Sequence, residues 1–170
     1  ALLYLPPDSV HWFGADDTGR DLFARVCTAV GISFSVGVLS VIIGVIIGLP
    51  LGCYSAFYGG KVDLLVQRFV DILMSFPLLI MGLLIIAAVG SGFVPLVLAI
   101  GIAQSPRFAR MARACTLSVK ENEFIEAAFS FGAGKIYIIY KHVLRNITGP
   151  LIIQSVLFIS EAIMVEAGLS

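Results

Sequence analysis

Charged residues fall along this chain in bursts, and the gaps between the bursts are long. None lies between Arg25 and Lys61, and none between Asp71 and Arg107. A helix needs about 20 apolar residues to cross the hydrocarbon of a bilayer. The first gap therefore predicts one membrane helix over residues 32–56, with glycine and β-branched residues throughout, as membrane helices tolerate. The second gap has room for two. Gly90-Ser91-Gly92 interrupts it with Pro95 just beyond, which predicts a helix over residues 65–89, a tight turn, and another helix over residues 94–115. A fourth apolar run covers residues 147–165, where Gly149-Pro150 marks a start or a kink, because proline is tolerated in the first turn of a helix. A polar island, residues 118–146, separates the third run from the fourth.

Composition reaches the same class independently. Apolar residues make up 59% of the chain and charged residues 13%, with a mean hydropathy of +1.01, well outside the balance of soluble globular domains. The expected architecture is an all-α, polytopic membrane helix bundle, in which the 170 residues bound the number of helices instead of the size of an aqueous core. Residues 1–27 read as an outer tail and residues 28–170 as the transmembrane domain. The formal net charge of zero gives no signal for nucleic acid. The chain begins without Met and has no charged leader with a cleavage site. Leu2-Leu3-Tyr4-Leu5 before Pro6-Pro7 reads as the last turn of a preceding helix, and Glu166-Ala167-Gly168-Leu169-Ser170 ends where another element should begin, so the chain reads as a fragment.

The distribution of charge orients the bundle. Arg107, Arg110, Arg113, Lys120, Lys135, Lys141 and Arg145 crowd the stretch around the island, and Lys61 and Arg68 lie between the first two runs. The Gly90 turn is uncharged, and the tail sets Arg20 and Arg25 against Asp8, Asp16, Asp17 and Asp21. Positive residues favour the cytoplasmic side, which places the Lys61 loop and the island inside, and the tail and the Gly90 turn outside. Contact of the island's cations with anionic lipid is the plain reading of that excess.

Within the island, Glu126-Ala127-Ala128-Phe129-Ser130-Phe131-Gly132 is followed by nine residues and then by His142-Val143-Leu144. Ala127 and Ala128 favour helix and offer a low surface that a partner can approach closely. Gly132 can take a left-handed conformation and end the first short helix, so that residues 135–143 set off at an angle. Glu126 can accept a charge-assisted hydrogen bond from a partner or from an amide of its own loop. Two short helices at an angle make a knob that fits a groove. A surface-lying amphipathic connector is the competing explanation.

This island resembles the loop by which membrane subunits of ABC importers engage the ATP-hydrolysing subunit. Further residues extend the resemblance over nearly the whole chain: His11-Trp12-Phe13-Gly14-Ala15-Asp16-Asp17-Thr18-Gly19-Arg20-Asp21, Tyr58-Gly59-Gly60, Arg68, Asp71, Pro77 and Glu166-Ala167-Gly168-Leu169-Ser170. Several ordered motifs at matching spacing are much harder to obtain by chance than one short pattern. The chain is similar to the permease subunits of dipeptide, oligopeptide and nickel ABC importers, with the type I importer permease fold.

The resemblance implies six spanning helices, of which this chain would hold four, the second to the fifth. It implies ATP-binding subunits, a second permease subunit, homologous or identical, and an extracytoplasmic solute-binding protein as partners. It further implies a multi-pass location in the inner (plasma) membrane, and movement of a di- or oligopeptide, or of nickel. The coupling residues would be Glu126, Ala127, Ala128, Gly132, His142 and Leu144. One departure is visible: Leu144-Arg145-Asn146 stands where the family usually has Leu-Pro-Asn, so the bend that proline would impose there is not specified.

Elsewhere the residues carry less. Arg68 and Asp71 are three apart on a helix and are expected to pair as a structural unit at the inner membrane boundary. Acidic residues in a spanning segment are costly and tend to face a polar interior, so Glu161, with Gln154 and Ser155, is a candidate for the solute pathway. Ser33, Ser35, Ser75 and Gln104 are weaker candidates, since small polar residues also serve as contacts between membrane helices. Gly132-Ala133-Gly134-Lys135 hints at a phosphate loop, but Phe129 stands where its first glycine should be and Ile136 where Ser or Thr should be. Asn146-Ile147-Thr148 fits a glycosylation acceptor on the wrong side of the membrane. Cys27, Cys53 and Cys115 have no metal-site spacing, and His11 and His142 have no companion ligands. No cofactor, metal or catalytic constellation is expected, and the chain reads as a transporter subunit with ATP hydrolysis on a separate subunit. An ion-coupled secondary transporter or channel is the alternative class. It would be favoured by paired carboxylates at mid-membrane and inverted repeats, whereas Glu161 stands alone in the sequence. A membrane-embedded enzyme lacks any nucleophile and base pairing.

Overall fold

The computed structural model describes residues 6–9, 11–16 and 18–169. The reading of Leu2 to Leu5 as a helix end lies outside the described residues, as do Asp17 and Ser170. The helices run α1 (Leu22–Tyr58), α2 (Gly60–Met74), α3 (Leu78–Val89), α4 (Phe93–Lys120), α5 (Glu123–Ser130), α6 (Lys135–Ile138) and, after a π-helical turn over Ile139–Val143, α7 (Leu144–Leu169). The all-α expectation holds.

The chain divides into two compact units, Ala1–Ser35 and Val36–Ser170. In the first, an antiparallel bridge joins Ala15 to Asp21, and the Asp16 carboxylate is the organising group. It accepts hydrogen bonds from the Thr18 hydroxyl at 2.6 Å, the Thr18 amide at 2.9 Å and the Arg20 amide at 2.9 Å, and it pairs with the Arg25 guanidinium. The Thr18 hydroxyl and the Arg20 amide, both donating to the charged form, hold this carboxyl well below the usual carboxylate range. Trp12 and Phe13 pack on Phe23 with ring centroids 5.2 and 5.5 Å away.

In the second unit, α4 is the central element. It packs on α2, α3 and α7, and α1 meets it along a stripe of small residues four apart: Ser40, Gly44, Gly48 and Gly52. A Cβ on Gly48 would lie 2.7 Å from Phe108 Cβ, and one on Gly52 would lie 2.8 Å from Ala112 Cβ and closer still to the Ala109 carbonyl oxygen. Small residues at a membrane helix interface let the backbones approach and gain dispersion contacts, which matter most where lipid removes the aqueous hydrophobic drive. Polar groups bridge the helices too. The Ser40 hydroxyl donates to the Val97 carbonyl at 3.2 Å and the Gln104 amide to the Phe158 carbonyl at 3.3 Å. Gln104 and Thr116 are buried, whereas Leu65, Ile153 and Met164 stand exposed. An apolar interior that also holds a few polar groups, under a surface rich in large apolar side chains, suits a lipid surround.

Among the described residues, two continuous helical runs are long and apolar enough to cross a membrane: Leu22–Tyr58 and Lys135–Leu169. The helix expected over residues 65–89 is instead two, α2 and α3, bent by 90° at a break between Met74 and Leu78. Pro77 lacks an amide hydrogen and disfavours helical geometry at Phe76, so the ladder cannot continue. Together the pair forms a third candidate span. The run over residues 94–115 lies inside the 28-residue α4. That helix is long enough, but Arg107, Arg110 and Arg113 lower its apolar character. Each of these cations meets an acid from another helix. The remaining helices extend beyond the expected bounds, and Pro150 lies inside α7 without ending it.

Candidate coupling surface and intramembrane charges

The polar island folds as two short helical pieces around a glycine, as its residues suggest. Asn122 starts α5, and its side-chain amide donates to the Ser118 and Val119 carbonyls, both at 3.0 Å, closing the end of α4. At the far end of α5 the Gly132 amide donates to Phe129 O at 2.8 Å and the Ala133 amide to Ala128 O at 3.0 Å. These two bonds, with Gly132 at φ +80°, form a Schellman cap. The chain leaves this cap in a new direction and enters α6.

What the pieces bury fixes which side they offer. Ile125, Ile138, Ile139, Val143 and Ile147 join Cys53, Phe57 and Ala112 in one core cluster, with Ala128, Ala133 and Leu144 packed on its edge. Phe129 stacks on Phe57 with centroids 5.9 Å apart, and the Lys120 ammonium donates to the Phe57 carbonyl at 3.0 Å. Lys135 lies 4.9 Å over the Tyr58 ring. The end of α1 and the end of α4 therefore grip the underside of the island.

The opposite side faces outward. Glu126 and Ala127 are exposed on α5, and Phe131 is 92% exposed just before the glycine cap. Phe124, Ile136, Tyr137 and Tyr140 add further exposed apolar surface. The expectation that Ala127 and Ala128 both present a low surface needs correction. They point to different sides of a short helix, so Ala127 is presented while Ala128 is half-buried against the core. His142 is half-buried, with the Phe124 ring 6.0 Å away and the Tyr137 ring 6.1 Å away, so it ties the second piece to α5. Leu144 is likewise an anchor. Of the sequence-predicted coupling residues, the structure thus offers Glu126 and Ala127 outward, turns the chain at Gly132, and uses Ala128, His142 and Leu144 as supports. Phe131, the most exposed large side chain of the island, is not among the coupling residues the sequence predicts. Its position directly before a capping glycine was the available signal.

The charges in the long helices pair across the bundle. Asp71 does not take Arg68 as partner. It accepts from Arg110 of α4 at 2.5 Å, because the side chains of α2 that face α4 meet cations there. Arg113 donates from Nε and Nη2 to both oxygens of Asp63 at 2.7 and 2.6 Å, the fork geometry of a guanidinium on a carboxylate. Glu161 does not stand alone: Arg107 Nη1 donates to both of its oxygens at 2.5 Å, and the guanidinium carbon lies 5.8 Å over the Phe158 ring. Gln154 and Ser155, the other candidate pathway residues, are half-buried on α7.

Comparison with known proteins gives this geometry a context. Residues 48–170 match the family described as binding-protein-dependent transport system inner membrane component. Over 165 residues the chain is 41% identical to a probable D,D-dipeptide transport system permease protein of Escherichia coli strain K12, covering 97% of this chain and 55% of that protein. It is 37% identical over 163 residues to a dipeptide transport system permease protein of Alkalihalophilus pseudofirmus, covering 96% and 54%. It is 35% identical over 164 residues to a glutathione transport system permease protein of Pectobacterium atrosepticum, also covering 96% and 54%. The chain spans about half the length of the curated relatives it matches.

Proposed function

The chain belongs to the family of binding-protein-dependent transport system inner membrane components, and on that premise we propose that it is part of a permease subunit of an ATP-driven importer of di- or oligopeptides, with its island as the surface that docks on the ATP-hydrolysing subunit. The observation that carries the docking role is the division of α5 into a gripped side and an offered side, with Phe131 92% exposed at its tip. An aromatic side chain held out beyond a capped helix end is costly in water and useful in a groove, where buried aromatics dominate interface energies. The family is one of transport-system membrane components, and ATP hydrolysis is proposed to fall to the partner. The peptide class, in preference to nickel, comes from the relatives' names, which are those of dipeptide, D,D-dipeptide and glutathione transport permeases.

The same reading places the subunit as a multi-pass protein of the inner membrane, beside a second permease subunit and beneath a solute-binding protein outside. Nucleotide-driven closure of the ATPases would move the island, and the island's grip on the ends of α1 and α4 would pass that motion to the pathway. Such coupling needs each nucleotide state to prefer one helix arrangement, since a ligand shifts an equilibrium only through differential affinity. The ion-coupled alternative gains nothing from the structure, because Glu161, the carboxylate it rested on, is held by Arg107. Gln154 and Ser155 are proposed to line the pathway beside that pair.

The test is co-purification of the full-length subunit with its ATPase, comparing the native island with Gly132→Asp and following ATP hydrolysis. The expected result is retention by the native island and loss in the variant, because a side chain at φ +80° is strained and a new negative charge enters the knob. Failure of the native subunit to retain the ATPase would overturn the docking role.

A further inference from the structure

The Arg107–Glu161 pair is oddly placed for a structural bridge. At about 1.5 Å per residue, Arg107 sits about 21 Å along α4 from Phe93, and Glu161 about 12 Å back from the end of α7 at Leu169. Both helix ends belong to the outer side in the proposed topology, so the pair falls within the roughly 30 Å of bilayer hydrocarbon. Charged groups at that depth face either the interior of a bundle or an aqueous path, because lipid cannot solvate them. Within this chain, which spans about half the length of its relatives, the side chains of the pair are 34% and 35% exposed, so they look out of these helices toward a further part of the subunit or an aqueous path. The face that carries it therefore does not meet lipid.

The surroundings are shaped to receive something. Arg107 borders a small hollow of about 50 Å³ with Leu73, Met74 and Phe76, and Glu161 borders a larger one of about 330 Å³ with Pro77, Leu79 and Met164. Both hollows open beside the break between α2 and α3, where the helix turns by 90°. Interrupted membrane helices recur at solute sites because they bring irregular backbone to a cavity wall at membrane depth. The apolar walls can take side chains of varied shape, whereas the two charges ask for one fixed pattern.

We propose that Arg107 and Glu161 form a solute-recognition centre for zwitterions, in which the guanidinium takes a carboxylate and the Glu161 carboxylate takes an ammonium of the passing solute. This rests on the permease reading of the island and names the solute chemistry its pathway selects. Without solute, the two groups neutralise each other. With solute, one ion pair is exchanged for two and no uncompensated charge is left at membrane depth, which is the condition for such an exchange to be affordable. A solute lacking either charge would leave one partner unpaired.

The experiment uses the complete transporter in proteoliposomes, with the solute-binding protein saturated in turn by a dipeptide and by its N-acetyl derivative, as verified by titration. The native protein is expected to move the free dipeptide at least about tenfold faster, the rate equivalent of roughly 1.4 kcal/mol. Glu161→Gln should bring that ratio to within about twofold, because its neutral side chain no longer distinguishes an ammonium from an amide. A purely structural pair would lower both rates together and leave their ratio unchanged. If Glu161→Gln fails to assemble, Arg107→Gln is assayed with the C-terminal amide, and the same collapse in discrimination is expected there. An unchanged ratio, or no preference in the native protein, overturns the proposal while leaving the permease reading intact. Absence of ATP-dependent uptake of either peptide by the native protein would overturn the permease reading itself.

Discussion

Two glycine-bearing regions of this molecule work in opposite ways. Along the α1–α4 contact, a methyl group on Gly48 or Gly52 would run into the facing helix, and a Cβ on Gly101 would lie 2.8 Å from the Ser40 carbonyl oxygen. At the island, a Cβ on Gly132 or Gly134 would meet nothing within 4 Å. In the first region glycine is present for what its absence of side chain lets in. In the second, Gly132 is present for its backbone angle alone. Crowding marks the part of the molecule that sets shape, and the open space around Gly132 leaves the outer side of the island clear for the proposed docking.

Substitutions should separate these regions, starting with the most costly. Gly52→Ala should destabilise the bundle by about 3 kcal/mol or more, since the new methyl has no rotamer by which to escape the Ala109 carbonyl and relief requires the helices to part. Thermal unfolding of the full-length subunit in detergent would read this as a large drop in midpoint. A mild effect would mean that the α1–α4 contact is looser than these distances require. Next comes Asp63→Ala, which strands Arg113 beside α2 and should cost about 2 kcal/mol, less than for a fully buried pair because the site is partly open to solvent. The companion replacement Arg113→Met should recover part of that loss, and a lack of recovery would show that the pair is not what joins α2 to α4. Smaller again is Gly132→Ala, which has room for its methyl and pays only the left-handed backbone, about 1 kcal/mol. It should lower the unfolding midpoint of the bundle by only about 2–4 °C.

Much of this was legible in the residues, for identifiable reasons. The helical character of the apolar runs, the turn at Gly90 and the cap at Gly132 are local events, set by hydropathy and by glycine, whereas the helix bounds differ from those the apolar runs suggest. The break before Leu78 also had a local signal in Pro77, which an unbroken run of hydropathy obscured. The arginines of α4 were visible only as excess charge. Their acids lie 39, 50 and 54 residues away, and nothing in a one-dimensional pattern chooses Arg110 over Arg68 as the partner of Asp71. The division of labour between Ala127 and Ala128 depends on which side of α5 meets Phe57 and Ala112, so it needed the fold. Gly132 marks the end of a capped helix at Phe131, but that this side chain is left bare depends on which side of α5 the core grips.

That bare side chain is where the account is most exposed to test. The measurement is the affinity of the purified ATP-hydrolysing subunit for the full-length permease in nanodiscs, native against Phe131→Ala, with the unfolding midpoint recorded alongside. Truncation of an interface anchor by about 1.4 kcal/mol or more weakens binding at least about tenfold. A surface residue outside the core changes stability by no more than about 0.5 kcal/mol. The predicted result is therefore lost affinity at an unchanged midpoint. Unchanged affinity would contradict the claim that this end of α5 is the docking surface.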